Sequence, residues 1–209
     1  FYSLYPLVSN IDNDDFKDII VTSGDKLYIL NYFPTTNPQL FPPTIFQKSI
    51  FYNPQAFQKN IAVADFDYDN ASEIVLSTDI PSTARQELHL LQWDVHSNQF
   101  KIMWETSDFM DYHALLISDI DGDKNLEITT LIDDSLISYE IDKNNLSSVV
   151  EHFSYEHLIG AYYISSGDIN KDGKEEIIIG KDGSSKENIQ VLAHNTNPDN
   201  STEDGKGIE

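Results

Sequence analysis

The segment from Asp168 to Ile179 reads DINKDGKEEIII and holds the pattern on which the fold depends. Aspartate or asparagine stands at its first, third and fifth positions, glycine at the sixth and glutamate at the ninth. Short acidic side chains favour tight turns, whereas the β-branched run that follows favours a buried strand. The segment therefore predicts an acidic loop that leads directly into a strand.

The same pattern occurs four times in the chain. NIDNDDFKDIIV begins at Asn10, DFDYDNASEIVL at Asp65, DIDGDKNLEITT at Asp119 and DINKDGKEEIII at Asp168. Successive starts are 55, 54 and 49 residues apart, and such near-constant spacing indicates a structural repeat. We call the segments loops one to four and number the positions within each, so that position 9 is the acid that opens the following strand.

Strand patterns flank every loop. A short apolar stretch precedes each loop and a β-branched run follows it; further alternating segments complete each unit, and no helical pattern of ten or more residues occurs. Four short antiparallel strands in about 50 residues correspond to one blade of a β-propeller. A solenoid of about 20–30-residue coils does not fit this period. Paired sandwiches would not explain four matching turns. The predicted class is all-β.

The repeat divides the chain into blades of four antiparallel strands and a tail. We expect a propeller segment over residues 1–194, with the Pro-rich stretch 33–43 as a loop of the first blade, and a polar tail over 195–209. The blades are expected at about 1–55, 56–108, 109–157 and 158–194.

The acidic loops have the chemistry of a calcium site. Carboxylates at positions 1, 3 and 5 can converge on one point, position 7 offers a backbone carbonyl, and the acid at position 9 closes the shell. Ca²⁺ takes about six to eight oxygen ligands, and a cation offsets the repulsion among crowded carboxylates. Mg²⁺ fits less well, since it prefers strict octahedral geometry and keeps several waters. An EF-hand is excluded because no loop has glutamate at position 12 and strands flank each loop.

The pattern D-x-[DN]-x-D-G-x-x-[DE], with an apolar strand on each side, resembles the FG-GAP or VCBS repeats of integrin α-subunit-type β-propellers. The resemblance covers nearly the whole chain, to about His194. It implies that each loop joins the first and second strands of a blade and holds Ca²⁺. It also implies a propeller, commonly of seven or eight blades, of a family that serves adhesion or ligand recognition and rarely has catalytic residues of its own.

Carried over residue by residue, the resemblance implies up to four Ca²⁺ ions, one for each loop. Side-chain oxygens come from positions 1, 3, 5 and 9, and the backbone carbonyl comes from position 7. The implied ligands are Asn10, Asp12, Asp14, Phe16 and Asp18 in loop one; Asp65, Asp67, Asp69, Ala71 and Glu73 in loop two; Asp119, Asp121, Asp123, Asn125 and Glu127 in loop three; and Asp168, Asn170, Asp172, Lys174 and Glu176 in loop four.

The four loops match the pattern unequally. Loop four is complete, with Gly173 at position 6, where a sharp backbone turn favours glycine. Loop three departs, with Lys124 at position 6 and Gly122 at position 4, whereas Asn70 in loop two tolerates left-handed geometry. Loop one begins with Asn10 and is the least charged. Two alternatives stay open: acidic turns that are merely solvated, and an array in which one or two loops have lost their metal.

Composition narrows the classes of partner. The chain has 209 residues, 13 Lys and Arg against 35 Asp and Glu, and a net charge of −22, which argues against nucleic acid and anionic membrane surfaces. No apolar run is long enough for a membrane-spanning helix. The absence of Cys removes disulfides and thiolate metal sites. Aromatic residues, at 11%, argue against disorder.

The sequence favours recognition over catalysis. It contains no serine nucleophile elbow, phosphate-binding glycine loop or helical zinc motif. We interpret the chain as a non-catalytic calcium-binding propeller module for protein–protein interaction or cell adhesion, outside the cell or at its surface. The alternatives are the propeller or carbohydrate-binding part of a secreted polysaccharide lyase or hydrolase, a lectin, and an intracellular scaffold with empty loops. The partner is accordingly a protein ligand or a glycan.

The pattern also predicts that further blades belong to the same polypeptide. Three complete units and a fourth with only three strands would leave open strand edges and an exposed apolar face, which soluble proteins avoid. Closure into a larger ring removes both. A compact four-bladed ring, closed by the N-terminal segment pairing into the fourth blade, is the competing expectation.

Overall fold

The computed structural model contains strands, turns and bends, and no helix, in its described part. It describes residues 6–23, 26–30, 45–48, 57–80, 85–97, 99–108, 112–132, 134–181 and 189–193. The all-β prediction is confirmed: these ranges hold 15 strands arranged in four antiparallel sheets. No helix with the length and hydropathy of a membrane span occurs in them. The chain divides into two compact units, Phe1–Met110 and Asp111–Glu209.

The first unit contains two four-stranded sheets in which each strand pairs with the next along the chain. The first sheet comprises β1 (Leu7–Ser9), β2 (Asp18–Ser23), β3 (Lys26–Leu30) and β4 (Ile45–Lys48). The second comprises β5 (Phe57–Ala64), β6 (Glu73–Ile80), β7 (Arg85–Asp94) and β8 (Gln99–Asp108).

The second unit repeats this arrangement. The third sheet comprises β9 (Tyr112–Ser118), β10 (Glu127–Ile132), β11 (Ser135–Ile141) and β12 (Val149–Tyr155). The fourth comprises β13 (Ala161–Gly167), β14 (Glu176–Lys181) and β15 (Ile189–Leu192), again paired in chain order. Every acidic loop joins the first and second strands of its sheet, as predicted.

The last strand of both the second and the third sheet carries a β-bulge. On β8, Ile102 and Trp104 pair with consecutive residues of β7, so Met103 is the extra residue. On β12, Glu151 and Phe153 pair with consecutive residues of β11, so His152 is the extra residue. A bulge bends its strand and redirects the extra side chain. The alternating pattern of the sequence did not predict either bulge.

Each unit has its own apolar core between its two sheets. In the first unit the core includes Ile20, Leu27, Ile74 and Leu76. In the second unit the core side chains are Ile120, Leu131, Leu136, Leu158, Ala161, Ile177 and Ile179. The second and third strands of each sheet supply most of these residues, which explains their β-branched and leucine-rich sequences.

Position 2 of the first three loops anchors the loop in the interior. Ile11, Phe66 and Ile120 are at most 2% exposed, whereas Ile169 of loop four is 57% exposed. Burial of each of these side chains stabilises the folded state by roughly 1.5–3 kcal/mol relative to leaving that side chain exposed. The hydrophobic effect therefore fixes the base of the first three loops.

All four sheets have exposed apolar side chains; Ile102 on the second sheet and Val150 on the third are 47% and 64% exposed. On the first sheet, Val8 pairs with Ile19, and both are exposed. On the fourth sheet, Tyr163 and Ile189 flank Gly180 in the strand register and are 73% and 70% exposed. The predicted loop at 33–43 and tail at 195–209 lie outside the described residues. The blade boundaries stay predictions.

Acidic loops of neighbouring sheets touch in both units. In the first, the Ser72 amide donates to the Asn10 carbonyl at 2.6 Å, and Asn13 Nδ2 donates to the Asp69 carbonyl at 3.2 Å. In the second, Gly122 approaches the Gly173 carbonyl so closely that a Cβ atom on Gly122 would lie 2.8 Å from that oxygen. Loop three therefore requires glycine at this position.

We expect Gly122→Ala to destabilise the second unit more than Gly160→Ala. Both glycines have positive φ, 79° and 75°, so an alanine is strained by about 1–2 kcal/mol at either position. Only Gly122 faces a clash, since nothing lies within 4 Å of a Cβ on Gly160. Urea unfolding of the two variants measures the difference, which should be at least about 1 kcal/mol. Equal losses of stability in the two variants would show that loops three and four can move apart enough to relieve the clash.

Candidate functional site

Loop four is folded by hydrogen bonds from its own backbone to its acidic side chains. Asp168 accepts the amides of Asp172 and Gly173, both at 3.1 Å. Asn170 accepts the Asp172 amide at 2.8 Å, and Asp172 accepts the Lys174 amide at 2.9 Å. Short acidic side chains in a turn commonly bind amides in this way. The oxygens at positions 1, 3 and 5 are thereby gathered on one side of the loop.

Loops two and three repeat these bonds. Asp65 accepts the amides of Asp69 and Asn70, both at 3.0 Å. Asp119 accepts the amides of Gly122 at 2.8 Å and Lys124 at 3.0 Å. At position 5, Asp69 accepts the Ala71 amide and Asp123 accepts the Asn125 amide, both at 2.7 Å. The residues at position 7 of these loops thus donate their backbone amides to the position 5 carboxylates. Cation binding by their backbone carbonyls stays a prediction.

The backbone has left-handed geometry, with positive φ, at positions 4 and 6 of loops two, three and four. Position 4 has positive φ in every loop, between 59° and 79°, and position 6 has it in loops two, three and four, between 72° and 89°. The residues are Asn13, Tyr68, Gly122 and Lys171 at position 4, and Asn70, Lys124 and Gly173 at position 6. Loop three therefore keeps the common geometry, with its glycine moved from one left-handed position to the other.

Loop one departs from the other three. Asn10 donates its side-chain amide to the Asp14 carbonyl at 2.8 Å, whereas the aspartate at position 1 of the other loops accepts backbone amides. The bond at position 5 is kept, since Asp14 accepts the Phe16 amide at 2.6 Å. The predicted residues Asp12 and Asp18 lie in the same loop and at the start of β2. Loop one is consequently the weakest candidate for a cation.

Position 9 ties the end of each loop to its beginning. One carboxylate oxygen of this acid accepts the amide of position 2 in all four loops, at 2.7–3.0 Å. The acids are 0–5% exposed. They are Asp18, Glu73, Glu127 and Glu176.

The second oxygen of the position 9 glutamate has a different environment in each loop. Glu73 Oε1 accepts Gln92 Nε2 at 3.2 Å, and Glu176 Oε1 accepts Asn170 Nδ2 at 2.7 Å. Glu127 Oε1 is buried and has no hydrogen-bond partner. A buried polar atom without a partner costs about 1–3 kcal/mol, so a cation or proton bound at loop three would offset this cost.

Burial and mutual repulsion raise the pKa of several of these carboxyl groups. Desolvation is the largest cause in each case, and neighbouring aspartates add to it. The pKa of Asp18 is about 6, that of Glu73 about 7 and that of Glu127 about 8. Asp67 is shifted in the same direction, first by desolvation and then by Asp69. The loops therefore hold negative charge at an energetic cost that a cation would remove.

The carboxylates of loops two and three come close enough to share an ion. Asp65, Asp67 and Glu73 each place an oxygen within 4.8 Å of the others. Asp119, Asp121 and Asp123 do the same in loop three. An all-oxygen set of carboxylates and carbonyls suits Ca²⁺. The residues present therefore fit the predicted ion.

The second unit also has a cleft away from the acidic loops. It has a volume of about 430 Å³ and is lined by His113, Asp134, Gly160, Ala161 and Tyr162. The rings of His113 and Tyr162 meet edge to face, with centroids 5.3 Å apart. Tyr162 is 46% exposed, so one face of its ring remains accessible. The cleft thus combines an aromatic surface, an imidazole and a carboxylate.

Sequence reasoning missed the residues that surround the loops. Gln92 and Glu140 lie on the third strands of their sheets, and the β-hairpin register brings them to position 9; for example, Glu127 pairs directly with Glu140. Counting residues across the predicted hairpin would have found this pair. The cleft residues carry no such signal, because a turn and the starts of two separate strands assemble them.

Comparison with known proteins identifies similar folds only. No family model and no curated protein sequence matches this chain. Among solved structures, one similar chain is a lectin from Agrocybe aegerita, studied for its specific recognition of non-reducing terminal N-acetylglucosamine; the identity is 13%, the TM-score 0.50, and 90% of this chain aligns with 48% of that chain. Another is an exo-β-1,3-galactanase from Phanerochaete chrysosporium with galactose, at 11% identity and a TM-score of 0.45, with coverage of 86% and 48%. The chain spans about half the length of both.

We expect the metal-free protein to lose stability as the pH rises from about 6.5 to 8.5. The folded-state pKa of Glu127 is about 8, above its ordinary value of 4.5, so the folded protein binds more protons than the unfolded chain between these values. Deprotonation across the window should cost about 1–2 kcal/mol and lower the melting temperature by roughly 3–6 °C.

Melting curves recorded across this pH range with a chelator present measure the slope of stability against pH. Glu127→Gln should flatten it, and Glu151→Gln, which removes an exposed carboxylate of β12, should not. Burial lowers the folded-state pKa of His89 to about 4, while in the unfolded chain it titrates near 6.5, so His89 adds a small rise in stability at the lower edge of this window, opposite in sign to the loss from Glu127. An unchanged slope in Glu127→Gln would contradict the assignment of the titration to loop three.

Proposed function

We propose that this chain is a calcium-binding recognition module whose four sheets are blades of an FG-GAP or VCBS type β-propeller. One observation carries the proposal. Four loops with the same acidic pattern occupy the same place, between the first and second strands of four successive sheets, and share the bond from position 2 to position 9. A merely solvated turn has no need of this repeated, buried arrangement of carboxylates.

Calcium is the cation that suits the loops best. The donors are carboxylate, amide and carbonyl oxygens, and no loop contains His, Cys or Met. The bound ion would neutralise the carboxylates and hold the loop ends together. Loops two, three and four share the complete geometry and are the strongest candidates. Extracellular modules bind Ca²⁺ with dissociation constants of about 10⁻⁴–10⁻³ M, which supports a location outside the cell or at its surface.

The exposed apolar faces support further blades. Val8 and Ile19 on the first sheet, and Tyr163 and Ile189 on the fourth, are the kind of side chains that blade packing buries. The chain also aligns with only 48% of the similar lectin chain. In this proposal the ions stabilise the scaffold, the loops and clefts of the blades bind the partner, and no residue acts as a catalyst. A protein partner in adhesion stays a prediction.

We expect Ca²⁺ to raise the melting temperature and a chelator to reverse the rise. An ion bound only by the folded state stabilises it by about 2.7 kcal/mol at 100 times its dissociation constant, or roughly 5–11 °C for a chain of this size. Asp172→Ala should remove the part of this rise in melting temperature that an ion in loop four contributes.

Glu156→Ala, which removes an exposed acid outside the loops, is the charge-matched control for this experiment. Differential scanning calorimetry with and without Ca²⁺ provides the measurement. Identical melting temperatures of the wild type in the two conditions would refute both the ion and its structural role.

A second candidate function is glycan binding at the cleft lined by His113, Asp134 and Tyr162. Sugar rings stack their apolar faces on aromatic side chains, and carboxylate or imidazole groups bind their hydroxyls. A similar fold occurs in a lectin that recognises terminal N-acetylglucosamine, although at 13% identity the likeness extends to the fold alone. The lining residues therefore carry this proposal. Carbohydrate is the partner that the described cleft fits best.

We expect Tyr162→Ala to weaken glycan binding and Tyr163→Ala to preserve it. Tyr163 is the matched control, since it is the adjacent tyrosine, is 73% exposed and does not line the cleft. A glycan array identifies ligands of the wild type, and titration calorimetry compares the variants. Loss of one stacking ring should weaken binding by roughly 10-fold or more. An array without any bound glycan, or equal binding by both variants, would exclude the cleft as a lectin site.

A further inference from the structure

The third sheet has a second cluster of metal-binding side chains beside loop three. Glu127, Glu140 and His152 each place one ligand atom within 4.8 Å of the others. Glu127 on β10 and Glu140 on β11 are direct cross-strand partners, and His152 is the extra residue at the β12 bulge. Asp121 Oδ2 lies 3.8 Å from His152 Nε2. Three strands and the loop therefore bring two carboxylates and an imidazole within 4.8 Å of one another, with a third carboxylate near the imidazole.

A buried oxygen of Glu127 indicates that this cluster holds a ligand. Glu127 is 0% exposed. Its Oε2 atom accepts the Ile120 amide at 2.7 Å, while its Oε1 atom is buried and has no hydrogen-bond partner. Glu140 cannot supply the missing bond as a carboxylate, because it has only acceptor oxygens. A cation at the cluster would satisfy Glu127 Oε1 and offset the repulsion between the two glutamates.

The second sheet provides an internal comparison. There Ile74 pairs with Leu91, which places Gln92 beside Glu73, and Gln92 Nε2 donates to Glu73 Oε1 at 3.2 Å. The extra residue at the β8 bulge is Met103. An amide donor and a thioether therefore occupy the positions that Glu140 and His152 occupy in the third sheet. The third sheet therefore has a carboxylate and an imidazole where the second sheet has an amide donor and a thioether.

We propose that Glu127, Glu140 and His152 form a binding site for a divalent transition-metal ion, with Zn²⁺ as the representative ion. One imidazole nitrogen and two carboxylates are a common donor set for zinc, which binds them at about 2.0–2.2 Å. Calcium prefers oxygen donors only, so the imidazole separates this site in chemistry from the acidic loops. Asp121 would orient the imidazole from outside the coordination shell. The bulge provides the necessary direction, because it turns His152 out of the regular alternation of β12.

Zinc titration of the full chain in calcium-free buffer tests the proposal. The wild type should bind one more equivalent of ZnCl₂ than the double variant Glu140→Gln/His152→Met, which installs the residues found at the equivalent positions of the second sheet. The affinity at this site should fall by at least about 100-fold, since two ligands are removed. The ring resonances of His152 in NMR spectra of the wild type should shift as the first equivalent of zinc is added.

Two controls separate the site from other effects. His96→Met removes a histidine whose side chain is 93% exposed, outside the cluster, and should leave zinc binding unchanged. A cooperative melting transition of each variant in calcium-free buffer shows that it is folded, whether or not the loops bind calcium. If the double variant does not fold, His152→Met alone replaces it. Equal zinc stoichiometry and affinity in wild type and variant, or an equal loss in His96→Met, would overturn the proposal.

Discussion

The hydrogen bond from the amide of position 2 to the carboxylate of position 9 is the constraint on which each repeat depends. It joins the end of the first strand to the start of the second, and it forces an acidic side chain into the interior in every repeat. Once the carboxylate is buried, the acids at positions 1, 3 and 5 crowd around it. The apolar residue at position 2 then enters the core in three of the four loops, so that loop geometry and core packing support one another.

Buried acids make the stability of these repeats conditional on what the loops bind. A proton, an amide donor or a cation can each satisfy the position 9 carboxylate, and the repeats differ in which of these they contain. Gln92 serves Glu73 and Asn170 serves Glu176, whereas Glu127 has no internal donor for its second oxygen. The same loop pattern therefore produces loops whose position 9 carboxylates differ in how strongly they require a bound cation or proton. Equal occupancy of all four loops is not required by the pattern.

Much of the architecture could be predicted because its signals are local. Apolar alternation defined the strands, and the acidic pattern located the turns at Asp65, Asp119 and Asp168. The two bulges could not be predicted, since they depend on how a strand twists against its neighbour. The left-handed backbone could be predicted at Gly173. It could not be predicted at Lys171, because a lysine carries no sequence signal for positive φ. Side chains that meet across strands, such as Glu140 and His152, required the register.

The bulge on the last strand also makes these sheets tolerant of change. The extra residue takes no part in the ladder of paired residues, so exchanging its side chain leaves the backbone pairing register unchanged. Met103 and His152 are two solutions at the same position on one backbone. A protein engineer could use this position in the second and third sheets to install different chelating, redox-active or fluorescent side chains beside the loops. The repeat would then serve as an array of separately addressable attachment points.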